Sequence, residues 1–320
     1  MIKFNPDLAH FTVFTGKIDD SHKESRISYL NPAGIEMFGP ELMEKRIVDI
    51  FGEILSSQTS GEITLEILLQ EGNIAIEGTL MGKYVKLLAS AVPSTRHFQA
   101  SILDASESRK FEEGFEYTAK ALARAAEAND EDTGNHVLRI SKYSGKLAEL
   151  MGLETLFIKN MGVLASLHDV GKVHVDPRIL KKAGDLTKEE FEAIKSHTIY
   201  GAKIIGSHEK LSLAKEIAIS HHERWDGSGY PYGYAGKKIP LSGRIVAIVD
   251  AFDALASERC YKPAFSYEKT FEILSKGDVK LKPEKHFDPD ILKVFIDNYS
   301  TFTKIHDTLK KSLNEDEKIL

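Results

Sequence analysis

Five histidines and three aspartates in the second part of the chain have the side chains and the spacing to hold metal ions. Asp132 and His136 stand four apart, so a helix would present carboxylate and imidazole on one face. His168 and Asp169 are adjacent and run into Val170-Gly171-Lys172, where the glycine suggests a helix end. His197 closes a helix opened by Thr187-Lys188-Glu189-Glu190, which has the form of a capping box. His221 and His222 make a second adjacent pair, just before a glycine-rich loop. Asp250 ends the apolar run Arg244-Ile245-Val246-Ala247-Ile248-Val249-Asp250, where an unpaired carboxylate is costly. Singly, each residue has an ordinary reading as a solvated helix face or a hydrogen-bonded core histidine. Neighbours on a helix point about 100° apart, so neither adjacent pair must share a site. Taken together, ligand-type residues beside helix ends and apolar faces suit iron, manganese or zinc held by nitrogen and oxygen. Twelve histidines stand against one cysteine, which excludes an intrachain disulfide framework and a thiolate-rich zinc site.

The elements that must position these residues fall in two parts. A chain of 320 residues has room for two domains at roughly 150 residues each. Hydrophobic residues are 42% and charged residues 28%, which excludes a largely disordered or collagen-like protein. A net charge of −6 gives no global basic field toward a nucleic-acid polymer or an anionic membrane. The amino terminus lacks the apolar core of a signal peptide, and no apolar run approaches the ~20 residues of a membrane helix. The expectation is a soluble, cytoplasmic protein.

Before residue 105, apolar residues alternate at Ile63, Leu65, Ile67 and Leu69, then Ile74 and Ile76, then Phe98, Ala100 and Ile102. With glycines between the runs, this predicts short, half-buried antiparallel strands. Asn31-Pro32 has the form of a cap and first helical position, with Ile35 and Phe38 on one helix face. Residues 1–105 therefore read as an α+β domain. Residues 105–129 read as one helix, with Phe111, Phe115, Thr118, Leu122 and Ala125 spaced as a coiled-coil seam or as an amphipathic face packed on its own domain. Beyond residue 130 the pattern is helical. Helices are expected over 211–219 and 245–255, and one opens at Asp288-Pro289. The loop Trp225–Pro240 is long, glycine-rich and irregular, which favours a functional role. Residues 301–320 read as a polar, fraying tail.

The strings His168-Asp169-Val170-Gly171-Lys172 and His221-His222-Glu223-Arg224-Trp225-Asp226-Gly227-Ser228-Gly229-Tyr230-Pro231 resemble the HD-GYP family. The likeness continues through Asp250-Ala251-Phe252-Asp253-Ala254-Leu255 and Arg259-Cys260-Tyr261-Lys262 to Phe287-Asp288-Pro289, over about residues 120–300 in the expected order. That family is a branch of the HD metal-dependent phosphohydrolases, whose members hydrolyse cyclic di-GMP. The resemblance implies an all-α HD-type domain over 130–300 with metal ligands at His136, His168, Asp169, His197, His221, His222 and Asp250. Asp169 would bridge two ions. Asp132 stands where three-metal members usually carry the longer Glu, so two or three divalent ions are implied: iron or manganese first, with zinc, nickel or magnesium as alternatives. Lys172, Arg259 and Lys262 match positions near the substrate phosphates, and Tyr230 and Asp130 match positions near guanine or ribose. Asp169 and Lys172 would be the catalytic pair. Asp253 is expected to brace its helix rather than bind metal.

On this resemblance, paired dications would offset phosphodiester charge and bring a water's pKa into the physiological range. Lys172, Arg259 and Lys262 would stabilise charge on the reacting oxygens. The products would be linear pGpG and, with a third ion, GMP. Ile27 through Gly39 and Leu103 through Lys110 resemble the opening and the exit of a PAS sensor domain. That implies a sensor over 1–105, a signalling helix over 106–129, homodimerisation through both, and signalling partner proteins. Two other readings compete: a non-catalytic cyclic di-GMP receptor, and an enzyme for another cyclic dinucleotide such as cyclic GMP-AMP. Seven histidines (10, 22, 97, 174, 208, 286 and 306) have no assigned role, and His174, close to Lys172, is the first to check.

Overall fold

The computed structural model describes residues 12–19, 24–56, 58–127, 135–182, 184–258 and 263–316. The chain divides into two compact units, Met1–Gly114 and Phe115–Leu320.

The first unit is a five-stranded antiparallel sheet with its helices inserted between the second and third strands. The strands are β1 (Thr12–Lys17), β2 (Ile27–Leu30), β3 (Asn73–Leu80), β4 (Lys83–Val92) and β5 (His97–Asp104), in spatial order β2-β1-β5-β4-β3. Strict alternation builds its core: Val85, Leu87 and Ala89 on β4 and Phe98, Ala100 and Ile102 on β5 are buried. Helices α1 (Pro32–Phe38), α2 (Ile47–Ile54) and α3 (Gln58–Glu71) contribute Phe38, Ile47, Ile50, Phe51, Leu65 and Leu68 to the same core. Asn31 caps α1 by accepting from Gly34 N at 3.0 Å, and also accepts from Val13 N at 2.9 Å, which ties the helix to β1. Ile35 and Phe38 part company, since Phe38 is buried and Ile35 is exposed. The strand expected over Ile63–Leu69 is a correction, because that run lies inside α3. Leu65 and Leu68 also satisfy the three-residue helical spacing, and both are buried.

Helix α4 (Ser106–Glu127) leaves β5 and passes through Gly114 without a break. Its buried residues are Ala119, Ala123, Ala126 and Glu127, while Phe111 and Leu122 of the expected seam are exposed. Small side chains at four- and three-residue spacing let α4 lie close against Val137, Leu164, Leu167, Val170, Ala214 and Ala218.

The second unit is helical: α5 (Asn135–Leu150), α6 (Thr155–Leu164), α7 (Pro177–Leu180), α8 (Lys188–Ile205), α9 (Ser212–Ser220), α10 (Leu241–Ala256), α11 (Tyr267–Lys276), α12 (Pro283–His286), α13 (Pro289–Asp297) and α14 (Tyr299–Asp316). The capping box at Thr187 and Glu190 opens α8, and the Asp288 side chain caps α13. Helix α10 is apolar on most sides because it is the central helix. Its Ile245, Val246, Ile248, Val249 and Phe252 are buried among α5, α9, α13 and α14. Phe252 meets Tyr143, Phe295 and Phe302 edge-on, each ring burial contributing about 1.5–3 kcal/mol. Phe302 and His306, in the stretch expected to be a polar tail, are buried in this core. Among the described residues, no helix is long and apolar enough to cross a membrane.

Candidate metal centre

Five segments of the second unit converge on one cluster, one of them the end of α4, which carries Glu127. His136 is the second residue of α5, and His197 lies in the middle of α8, which runs on for two further turns rather than closing there. His168 and Asp169 sit between two short 3-10 turns, Ala165–Leu167 and Val170–His174. Gly171 is required there for close approach rather than to end a helix: a Cβ would lie 1.9 Å from His197 O and 2.4 Å from Gly201 N of α8. His221 ends α9, with His222 next along the chain.

The ligand atoms form two groups of four, each with its donors within 4.8 Å of one another: Asp169, His197, His221 and His222, and Glu127, His136, His168 and Asp169. Asp169 belongs to both, and its two oxygens face different ways. Oδ1 lies 3.2 Å from His197 Nε2 and 3.5 Å from His221 Nε2, whereas Oδ2 lies 3.2 Å from His168 Nε2. His136 Nε2 and His168 Nε2 are 3.2 Å apart, a bite suited to one ion.

The backs of the rings fix their chemistry. The Nδ1 of His168 meets Ala165 O at 3.1 Å, that of His197 meets Ile194 O at 2.6 Å, and that of His221 meets Ile217 O at 3.1 Å. A carbonyl accepts only from N–H, so each ring carries its proton on Nδ1 and turns a bare Nε2 toward the cluster. For His136 the partner is the Asp253 carboxylate at 2.7 Å, itself paired with Arg139 at 2.5 and 2.8 Å. Asp253 thus braces the His136 ring rather than its own helix. Burial opposes a charge on His136, but the Asp253 hydrogen bond and charge outweigh it and raise its pKa to about 9. Burial likewise opposes the Asp169 charge, yet the Lys172 ammonium and then His168 hold its carboxyl well below the usual carboxylate range. Burial, and then His221, push His222 well below the ordinary imidazole value.

The donors fit divalent ions. Asp169 Oδ1 and both Glu127 carboxylate oxygens are buried and accept no hydrogen bond among the described residues, a cost that a bound cation removes. Imidazole and carboxylate donors suit iron, manganese or zinc.

The structure brings together six of the expected ligands: His136, His168, Asp169, His197, His221 and His222. Asp250 adjoins them, its Oδ1 3.7 Å from His136 Nε2. Lys172 Nζ is 2.8 Å from Asp169 Oδ2. Tyr230 stacks on His222 with ring centres 4.8 Å apart, and its N–H donates to His222 O. Asp130, Asp132, Arg259 and Lys262 lie outside the described residues. His174 stacks on Tyr200, and His306 meets the Tyr143 hydroxyl at 3.0 Å, so both have partners outside the metal-ligand groups. Three features escaped the sequence reading: Glu127, the Arg139–Asp253 pair, and Glu223. The Glu223 carboxylate accepts from Tyr232 N at 2.8 Å and Tyr234 N at 3.1 Å and so pins the glycine-rich loop. Gly229 lets that loop close, since a Cβ there would fall 2.3 Å from Arg224 N.

Residues 120–291 match the family model described as HD domain. A cyclic di-GMP phosphodiesterase of Vibrio cholerae is 41% identical over 191 residues, covering 55% of this chain and 38% of that protein. A cyclic di-GMP phosphodiesterase of Thermotoga maritima is 40% identical over 187 residues, covering 58% of this chain and 50% of that protein. A 3'3'-cGAMP-specific phosphodiesterase 2 of Vibrio cholerae is 41% identical over 195 residues, covering 59% of this chain and 35% of that protein. The chain thus spans half or less of the length of these relatives.

Proposed function

The chain belongs to the HD domain family, and from that premise we propose that it is a metal-dependent phosphodiesterase acting on cyclic di-GMP. The observation that carries this reading is the Asp169 carboxylate, whose two oxygens face two separate sets of histidine nitrogens. One ion would be held by His136, His168, Asp169 and Asp250, and the other by Asp169, His197, His221 and His222. Iron or manganese suits this donor set first, with zinc, nickel or magnesium as alternatives. When bound, adjacent divalent ions neutralise phosphodiester charge and lower the pKa of water.

The chain's own residues do the rest. The Nε2 atoms of His168, His197 and His221 are aimed before any ligand arrives, so little reorganisation is needed to receive a charged group. Lys172, held beside Asp169, places a fixed positive charge where phosphoryl oxygens gain negative charge. Tyr230, stacked on His222, offers an aromatic face and a hydroxyl to a purine nucleotide. Burial raises the Tyr230 pKa, so its hydroxyl stays protonated and can donate. Asp130 would meet the guanine or ribose, and Arg259 and Lys262 the phosphates. The first cleavage gives linear pGpG, and Asp132, with a third ion, would carry the reaction on to GMP. The first unit is a PAS-like sensor that regulates this reaction, and the protein is a homodimer through that unit and α4. The exposed Phe111 and Leu122 on α4 support that reading.

A second reading keeps the chemistry and changes the substrate to 3'3'-cGAMP, favoured by the 41% identity to a relative named for that specificity. Protein purified without oxygen and loaded with ferrous iron or manganese is incubated with each dinucleotide, and the products are separated by chromatography. Conversion of cyclic di-GMP to pGpG, lost in Asp169→Asn, is expected. An intact cyclic di-GMP peak beside consumed 3'3'-cGAMP selects the second reading, and two intact peaks overturn both.

A further inference from the structure

Glu127 is the last residue of α4 and only 3% exposed, yet neither of its carboxylate oxygens meets a hydrogen-bond donor among the described residues. A buried carboxylate that accepts no hydrogen bond costs several kcal/mol unless a cation compensates it. A cation held by the cluster would lie within reach of it. Glu127 Oε1 is 3.8 Å from His136 Nε2, and Glu127, His136, His168 and Asp169 each place one donor atom within 4.8 Å of the other three. Two donors of one ion, each about 2.1 Å from it, lie about 3–4 Å apart. Lys172, the nearby ammonium, is already 2.8 Å from Asp169 Oδ2.

We propose that Glu127 is a metal ligand, joining His136, His168, Asp169 and Asp250 around one ion. The proposal rests on the metal-dependent reading of the site and adds to it a ligand nine residues before His136 in the chain. It also places the end of α4 in the coordination shell. That helix begins at Ser106, directly after the last strand of the first unit, so one continuous helix runs from β5 to the proposed ligand.

Cobalt(II) is the probe, since its visible d–d bands report the donor atoms directly and its uptake can be counted. Wild-type protein, Glu127→Gln and Glu127→Asp are titrated with cobalt under competition by a chromophoric chelator. Melting of the metal-free proteins is measured in parallel. Wild type is expected to bind two or more ions. In Glu127→Gln, one of them should weaken tenfold or more, with a change in its d–d spectrum, and another should be nearly unchanged. Metal-free Glu127→Gln should melt at or above wild type, because an uncompensated buried carboxylate has been replaced by a neutral group of the same shape. Glu127→Asp should fall between the two in affinity. A Glu127→Gln protein with wild-type affinities and spectrum overturns the assignment, whatever its melting temperature. Weakened binding with an unchanged spectrum also overturns it, because the residue would then only position other ligands. A wild-type protein that takes up no cobalt overturns the metal-dependent reading itself.

Discussion

Asp253 illustrates how much a single side chain behind a ligand controls. It is fully buried, fixes the His136 ring through Nδ1 and neutralises Arg139, so one carboxylate serves a buried imidazole of the cluster and a buried cation together. The two roles separate by substitution. Asp253→Asn keeps an acceptor of the same shape but removes the charge, and metal affinity at the His136 side should fall roughly 10–100-fold in a chelator competition. Asp253→Ala leaves Arg139 short of its buried counter-charge and should destabilise the second unit by roughly 3–5 kcal/mol in denaturant unfolding. Equal metal affinity in Asp253→Asn and wild type would show that ring orientation comes from packing alone.

At the scale of elements, the site is set by how closely segments approach. The turn carrying His168 and Asp169 touches α8 through Gly171 and Gly201, and no side chain fits between them. Gly171→Ala should therefore cost at least about 1–3 kcal/mol and weaken both ligand groups together, because Asp169 belongs to both. Thermal melting and metal counting on the same sample test this, and loss of one ion alone would contradict it. The start of α4 makes a different prediction. Hydrogen bonds from the Ser106 side chain and backbone, with Lys83 beside them, hold the Asp104 pKa at about 2, below its ordinary value of 3.8. A depressed carboxylate stabilises the fold fully above its unfolded pKa and loses that contribution as pH falls through its folded pKa. The stability difference between wild type and Asp104→Ala should thus be constant above about pH 5 and shrink from pH 4 toward pH 2. A difference that grows on acidification would refute the sign.

The whole molecule has two compact units with separate cores, and the ligand groups belong to the second. Metal binding to a folded site stabilises only the unit that contains it, by mass action. Chelation should lower the unfolding temperature of residues 115–320 and leave the transition of the first unit where it is. Calorimetry with and without chelator tests this, and a shift of both transitions would mean that the two units unfold as one.

The sequence by itself determined the local chemistry. His168-Asp169 and His221-His222 could be singled out because adjacent ligand-type residues at helix ends are visible along the chain. The Thr187 capping box and the Phe98–Ile102 alternation were legible for the same reason: each is a pattern within a few residues. Local pattern misled over Ile63–Leu69, where a two-residue alternation also met helical spacing and packing chose the helix. It also drew attention to Phe111 and Leu122 on α4, while the fold buried the small face at Ala119, Ala123 and Ala126. Tertiary structure alone decided which residues complete the site. Arg139 reaches Asp253 across 114 positions, and Glu127 comes within 4.8 Å of donor atoms of His168 and Asp169 only because three alanines let α4 pack closely. A metal site needs donors within a few ångströms from several directions, and no short stretch of chain can supply that. Side-chain types set what could be bound, and the distances between helices determined which side chains are placed to bind it.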